Sequence, residues 1–140
     1  MANDTTGRGQ ERSQAGQSLT ELSIALVLFL VLAFGIVDAG RLIYAYNVVS
    51  SSAREGVRWA AVRGGASGHA ASQADIQAFV QSKTVGVPVT VDATWLPDGN
   101  NQPGSTVVVT VTYAFAPIAP LPFVPQTINL ASTSRMVISR

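Results

Sequence analysis

The sequence predicts an α+β chain. A long N-terminal helix, membrane-spanning over its first half, precedes a small antiparallel β-sheet domain with one short helix. Three observations predict this. From Leu22 to Val37 no residue is ionisable, and twelve of these sixteen positions are Leu, Ile, Val or Phe. The helical pattern then continues without proline as far as Gly64. Beyond it lie three runs rich in β-branched residues, separated by segments rich in Pro, Gly, Asn and Asp.

Composition agrees. The 140 residues are 47% hydrophobic and 12% charged, where a soluble domain carries about 25% charged residues. Part of the chain therefore avoids water, or its soluble part is coated with Ser and Thr. The net charge of +1 and the scattered Arg residues give no basic face for nucleic acid. Cysteine is absent, which excludes disulfide frameworks, thiol catalysis and Cys-based metal sites.

Residues 1–16, MANDTTGRGQERSQAG, are polar and show no apolar period, so they read as a disordered leader. The sixteen uncharged positions that follow make about 24 Å of helix. A full span wants ~20 residues, which places the segment at about residues 20–43 with its charged ends near the headgroups. At the far border Asp38 and Arg41 stand three apart on one face and can pair. Arg41 can snorkel to water, and Tyr44 and Tyr46 suit an interfacial aromatic belt. In the emergent half, Val48, Ser52, Gly56 and Ala60 recur every four residues. Ser52, Gly56 and Ala60 form a narrow face of small side chains for close packing, on a helix or on a sheet. The helix is expected over 17–63, ended by Gly64-Gly65.

The remainder, 64–140, reads as one domain. GGASGHAA is a flexible loop. Ser72-Gln73-Ala74-Asp75 resembles a capping box for an amphipathic helix over 73–83. Strands follow at 87–95, 106–116 and 127–139, with PDGNNQPGS as the first turn-rich connection. PIAPLPFVP, 117–125, has four prolines in nine residues and must be an extended crossover or edge. The helices are available to cover one face of the sheet.

No catalytic set emerges. His69 is the single histidine and lies in a Gly/Ala loop. No HExxH, GxSxG or phosphate-loop pattern is present. Asp75, Asp92 and Asp98 are spread over a helix, a strand and a turn. Trp59 and Trp95 read as packing between helix and sheet rather than as binding aromatics. The chain is not expected to be an enzyme, and no metal or cofactor is implied.

Glu21, at the threshold of the apolar run, needs explaining, because a charge near a bilayer is costly. It can simply complement the helix dipole from the headgroup layer. A second explanation comes from residues 16–62, GQSLTELSIALVLFLVLAFGIVDAGRLIYAYNVVSSSAREGVRWAAV. This stretch resembles the TadE-like family, pilin-like proteins of the tight-adherence (Flp-type) pilus machinery. GQSLTE, GIVDAGR and YNVVSSSAREGVRWAA carry the resemblance, in order and in register.

The resemblance implies a pilin-like architecture and cleavage by a prepilin peptidase between Gly16 and Gln17. The new amine of Gln17 would be met by the Glu21 carboxylate of a neighbouring helix. Physics favours the pairing, since a carboxylate in low dielectric is far less unfavourable when paired. Glu21 is then a docking group. Major type IV pilins usually begin with Phe after cleavage, whereas this chain would begin with Gln.

The implied role is a minor pilin or pseudopilin in the cytoplasmic membrane, single-pass, with its C-terminal domain outside. Its partners would be other pilin-like subunits, the prepilin peptidase, the inner-membrane assembly platform and membrane lipid. The charge count does not assign this topology. Arg8 and Arg12 are offset by Asp4 and Glu11, while Arg41, Arg54 and Arg58 follow the span. Two other functions remain open on residues alone: a signal-anchored extracytoplasmic binding module, and a conventionally secreted domain. Against the latter, the apolar run exceeds the usual signal-peptide core and no A-x-A site follows.

Overall fold

The computed structural model describes residues 7–119 and 125–139, with side chains from residue 16 onward. Residues 1–6 of the expected leader and 120–124 of the proline-rich crossover lie outside the described residues. The elements are a helix α1 (Gly7–Ala61), a 3-10 turn (Gly65–Ser67), a helix α2 (Gln73–Lys83) and strands β1 (Thr90–Leu96), β2 (Thr106–Phe115) and β3 (Ile128–Val137). The architecture is α+β, as the sequence predicts.

α1 differs from expectation at both ends. It begins at Gly7 rather than Gln17, so the stretch read as a disordered leader is helical from Gly7. No proline interrupts Gly7–Gly16, and although Gly9 disfavours a helix, the polar Gln, Glu and Arg there are good helix formers. It ends at Ala61 rather than Arg63. Ser139 donates its N–H to the Ala61 carbonyl at 3.1 Å, Arg63 turns back to the Ala60 carbonyl at 2.9 Å, and Ala71 donates to the Arg63 carbonyl at 2.8 Å. The C-terminal segment thus claims the Ala61 carbonyl, a tighter turn takes that of Ala60, and Arg63 is already held outside the helix before the glycines are reached.

α2 matches expectation. The Ser72 side chain accepts the Asp75 N–H while the Asp75 carboxylate accepts the Ser72 N–H, a reciprocal capping box. β1 starts at Thr90 instead of 87, because Pro88 has no N–H to give a ladder.

The sheet is antiparallel in the order β1-β2-β3. Its inner face carries Val91 and Ala93 of β1 and Val107, Val109 and Val111 of β2, all buried. Its outer face presents Thr90, Thr94, Thr110, Thr112 and Thr133. This is the Ser/Thr coat the low charge content suggested. α1 covers β2 and β3, and α2 covers β1. From α1 the core takes Ala45, Val49, Ala53, Val57, Ala60 and Ala61, and from α2 Ile76 and Val80. Small residues on α1 let the helix lie close on the valine ladder.

The emergent half of α1 and the sheet have matched lengths. From Asp38 to Ala61 the helix rises about 35 Å, and the ten residues of β2 extend about 34 Å. β2 runs from the Ala61 end down to the Asp38 end, and β3 returns. No bare stalk separates the domain from the apolar half of the helix.

Candidate functional site

The first half of α1 is a free helix. An eighteen-residue apolar stretch within Gly16–Ala61 is long and apolar enough to cross a membrane, and none of it is buried by the other described residues. Leu26, Val27, Leu28 and Phe29 are among its exposed large side chains, and these consecutive positions, about 100° apart, place them on all sides of the helix. A helix that is apolar all round suits lipid or other helices rather than water.

Glu21 lies at the N-terminal border of this surface, in a shallow recess with Gln17, Thr20, Ile24, Ala25 and Leu28. These positions share one face at three- and four-residue spacing. The described ion pairs are Asp38–Arg41 and Glu55–Lys83, and neither involves Glu21. Its carboxylate stands exposed beside a strip of apolar side chains. Gly16 has no neighbour within 4 Å of a built Cβ. The Thr20 hydroxyl donates to the Gly16 carbonyl at 3.0 Å, and the Ser23 hydroxyl to that of Leu19 at 2.8 Å. Those bonds let polar side chains sit on the helix without seeking outside partners.

At the other border, Arg41 Nη1 meets Asp38 Oδ1 at 2.7 Å, as the spacing suggested. The structure adds contacts that the sequence did not announce. The Asp38 carboxylate also accepts the N–H of Ile118, at 3.1 and 2.9 Å, and that of Ala119 at 3.3 Å. Arg41 reaches the Ala116 carbonyl at 3.5 Å and lies over the Phe115 ring, 5.1 Å from its centroid. The Asp38 side chain is only 13% exposed. Tyr44 donates its hydroxyl to the Val85 carbonyl at 3.2 Å, in the loop after α2. Tyr46 is exposed.

Ser52, Gly56 and Ala60 are all buried, facing the sheet and α2. A Cβ built on Gly56 would lie 2.7 Å from Val80 Cγ2 and 3.4 Å from Val109 Cγ1. The Ser52 hydroxyl bonds within its own helix, to the Val48 carbonyl at 2.6 Å. This small face therefore serves the domain's own core.

The residues considered for chemistry are dispersed. His69 is exposed, with its backbone N–H on Ser67 Oγ. Asp75 is held in the capping box and Asp92 accepts from Gln73 at 3.4 Å. Among the described residues no His, Asp and Glu side chains gather into a metal-binding group. Trp95 packs against the core from β1. Trp59 stacks on Phe79, 4.9 Å between centroids, and Arg63 lies over its outer face at 4.2 Å. This basic, aromatic seam between α1 and α2 went unremarked in the sequence. The Trp59-Arg63 spacing of four residues was its one signal.

The comparisons fall on α1. No curated protein and no solved structure matches the chain. A family model does match, over residues 16–58, and its description is TadE-like protein. The match starts at Gly16, includes Glu21, Asp38 and Arg41, and ends two residues past Gly56. It covers the whole free apolar segment and most of the helix that packs on the sheet. The family is a structural one associated with pilus machinery, not a family of enzymes. Over residues 16–58 the long helix of this chain is similar to the TadE-like family.

Proposed function

We propose that this chain is a minor pilin or pseudopilin-type structural protein that takes part in assembling a tight-adherence pilus. One observation carries the reading. The TadE-like segment coincides with a helix whose second half is consumed by its own domain and whose first half is covered by none of the described residues. Such a half-helix needs lipid before assembly and sister helices after it. Glu21, in neither of the described ion pairs, supplies a polar group on this surface whose cost is relieved by a cation on a neighbour. The amine released at Gln17 by cleavage after Gly16 is such a cation.

The chain in this reading sits in the cytoplasmic membrane as a single-pass protein, with residues 64–140 on the extracytoplasmic side. Its partners are other pilin-like subunits, the prepilin peptidase and the inner-membrane assembly platform. The test is the N-terminus and intact mass of membrane-extracted protein, with and without a co-expressed prepilin peptidase. A peptidase-dependent start at Gln17, abolished in Gly16→Ala, is the expected result. An uncut chain would leave a membrane-anchored domain outside the pilin pathway.

A further inference from the structure

We propose that the domain rests directly on the bilayer, with Ile118 and Val85 forming an apolar collar that enters the headgroup–acyl boundary around the helix. The proposal deepens the reading that α1 spans the membrane and rests on it.

Three observations carry it. The first is length. The uncharged run Leu22–Val37 gives about 24 Å of helix, against a hydrocarbon core of about 30 Å. A short span is accommodated by thinning the bilayer or by drawing its flanks inward, which brings Asp38 to the boundary. The second is register. The Asp38 carboxylate holds the Ile118 and Ala119 N–H groups directly, so these two residues share the depth of Asp38. The third is exposure. Ile118 is 55% exposed and Val85 is 77% exposed, each on a segment tied to α1 at the border.

The two contacts lie on different sides of the helix. Asp38 and Tyr44 are six residues apart, which turns Tyr44 about 120° around the axis. It also raises the Tyr44 backbone about 9 Å along the axis, while helix side chains lean back toward the N-terminus, here toward the membrane. The Tyr44 hydroxyl thus holds the Val85 loop at headgroup level, and Asp38 holds Ile118 at the level of the last apolar turn. The same clasp explains how a carboxylate tolerates that depth. It meets the Arg41 guanidinium and two backbone N–H groups, so little of its charge is left without a donor.

The occupant is lipid rather than a second protein because the collar is continuous with the apolar helix and lies at its boundary. A soluble partner would have to enter the headgroup layer to reach it.

The chain has no cysteine, so single sites can be spin-labelled in the full-length protein without a background. Ile118→Cys and Val85→Cys are labelled in phosphatidylcholine/phosphatidylglycerol bilayers. Phe29→Cys marks mid-span and His69→Cys marks the exposed distal loop. The readout is accessibility to oxygen, which favours lipid, and to a water-soluble nickel chelate. Labels at 118 and 85 are expected to be several-fold less accessible to nickel than at 69, with oxygen accessibility between those of 69 and 29. Nickel accessibility at 118 and 85 equal to that at 69, with 29 still protected, would overturn the collar alone. Nickel access at 29 would overturn the spanning helix and the collar with it.

Discussion

The Cα of Gly56 lies so close beneath Val80 that a methyl group there would sit 2.7 Å from Val80 Cγ2. Val80 is 1% exposed and β-branched, and Val109 closes the other side at 3.4 Å, so neither can withdraw cheaply. Helix propensity favours Ala over Gly by about 1 kcal/mol, while overpacking costs about 1–3 kcal/mol. Gly56→Ala is therefore expected to be destabilised by up to about 2 kcal/mol, and Gly56→Leu by more. Thermal unfolding of the detergent-solubilised chain measures both. A Gly56→Leu protein that melts like the parent would show that α1 does not seat on α2 and β2 as described.

Asp38 fastens the crossover to the helix across 80 residues of sequence. Asp38→Ala would leave the Ile118 and Ala119 N–H groups without their acceptor and Arg41 without its carboxylate. The expected outcome is faster amide hydrogen exchange at Ile118 and Ala119, with the buried Val109 and Val111 amides unchanged. Unchanged protection at Ile118 would mean that the carboxylate does not hold the crossover. Asp38→Asn keeps one acceptor oxygen and should fall between the two.

The capping box gives the chain a titratable fastener in its soluble part. The Ser72 hydroxyl and backbone N–H, in that order, hold the Asp75 carboxyl below the usual carboxylate range, against a smaller opposing effect of burial. A carboxyl depressed in the folded state adds stability above its unfolded pKa and loses it as pH falls through the folded one. The contribution of Asp75 is therefore whole at neutral pH and fades below about pH 4. Ser72→Ala removes the first cause. It should raise the Asp75 pKa toward its ordinary value, read by NMR titration, and destabilise α2 by about 0.5–2 kcal/mol at neutral pH. An Asp75 titration unmoved by Ser72→Ala would dissociate the two residues.

Sequence reasoning reached the elements whose cause is local. The sixteen uncharged positions, the capping box and the β-branched runs each depend on neighbours within a few residues, and α2 matches at both ends. It failed where the cause is distant. The early end of α1 depends on Ser139, which claims the Ala61 carbonyl, and on Ala71, which holds the Arg63 carbonyl just beyond the helix. The Asp38–Arg41 pair was legible from its i,i+3 spacing, but the larger use of Asp38, on Ile118 and Ala119, has no local signature. The small face of Ser52, Gly56 and Ala60 was visible as a close-packing surface. Which surface it meets follows from the sheet, where the alternation of β2 puts Val107, Val109 and Val111 on one side. The helical start at Gly7 was missed because polarity was read as disorder, although polarity alone does not oppose a helix.

The turn at the far end of the domain depends on Gly65. A Cβ there would lie 2.8 Å from the Asn101 carbonyl oxygen, and the Gly65 N–H donates to that same oxygen. Asn101 also donates its side-chain amide to the carbonyls of Ala71 at 2.9 Å and Arg63 at 3.2 Å. Gly65→Ala pushes the loop off this acceptor, and Asn101→Ala removes two further bonds. Each is expected to cost about 1–3 kcal/mol, read by chemical denaturation. The two should be less than additive, because they break one network. Full additivity would mean that Gly65 and Asn101 act independently.

In the proposed function Glu21 serves assembly and not folding. It is exposed, distant from the core and absent from the described ion pairs. Glu21→Gln keeps the size and polarity of the side chain and removes the charge. If the carboxylate works only against a cation on a neighbouring helix, the variant should keep the parent's melting temperature and membrane insertion, and the proposed cleavage after Gly16 should be the same in both. It should lose recovery with co-expressed pilin-like subunits in mild detergent. Glu21→Asp, with the charge one methylene shorter, should recover part of it. The comparison also tests a simpler role, a charged group that fixes the N-terminal border of the span in the headgroup layer; the helix begins at Gly7, so Glu21 lies too far inside it for the dipole to act. In that case Glu21→Gln would lower insertion or stability of the isolated chain and leave subunit recovery per inserted molecule unchanged. The two roles thus move different measurements, and one set of preparations decides between them.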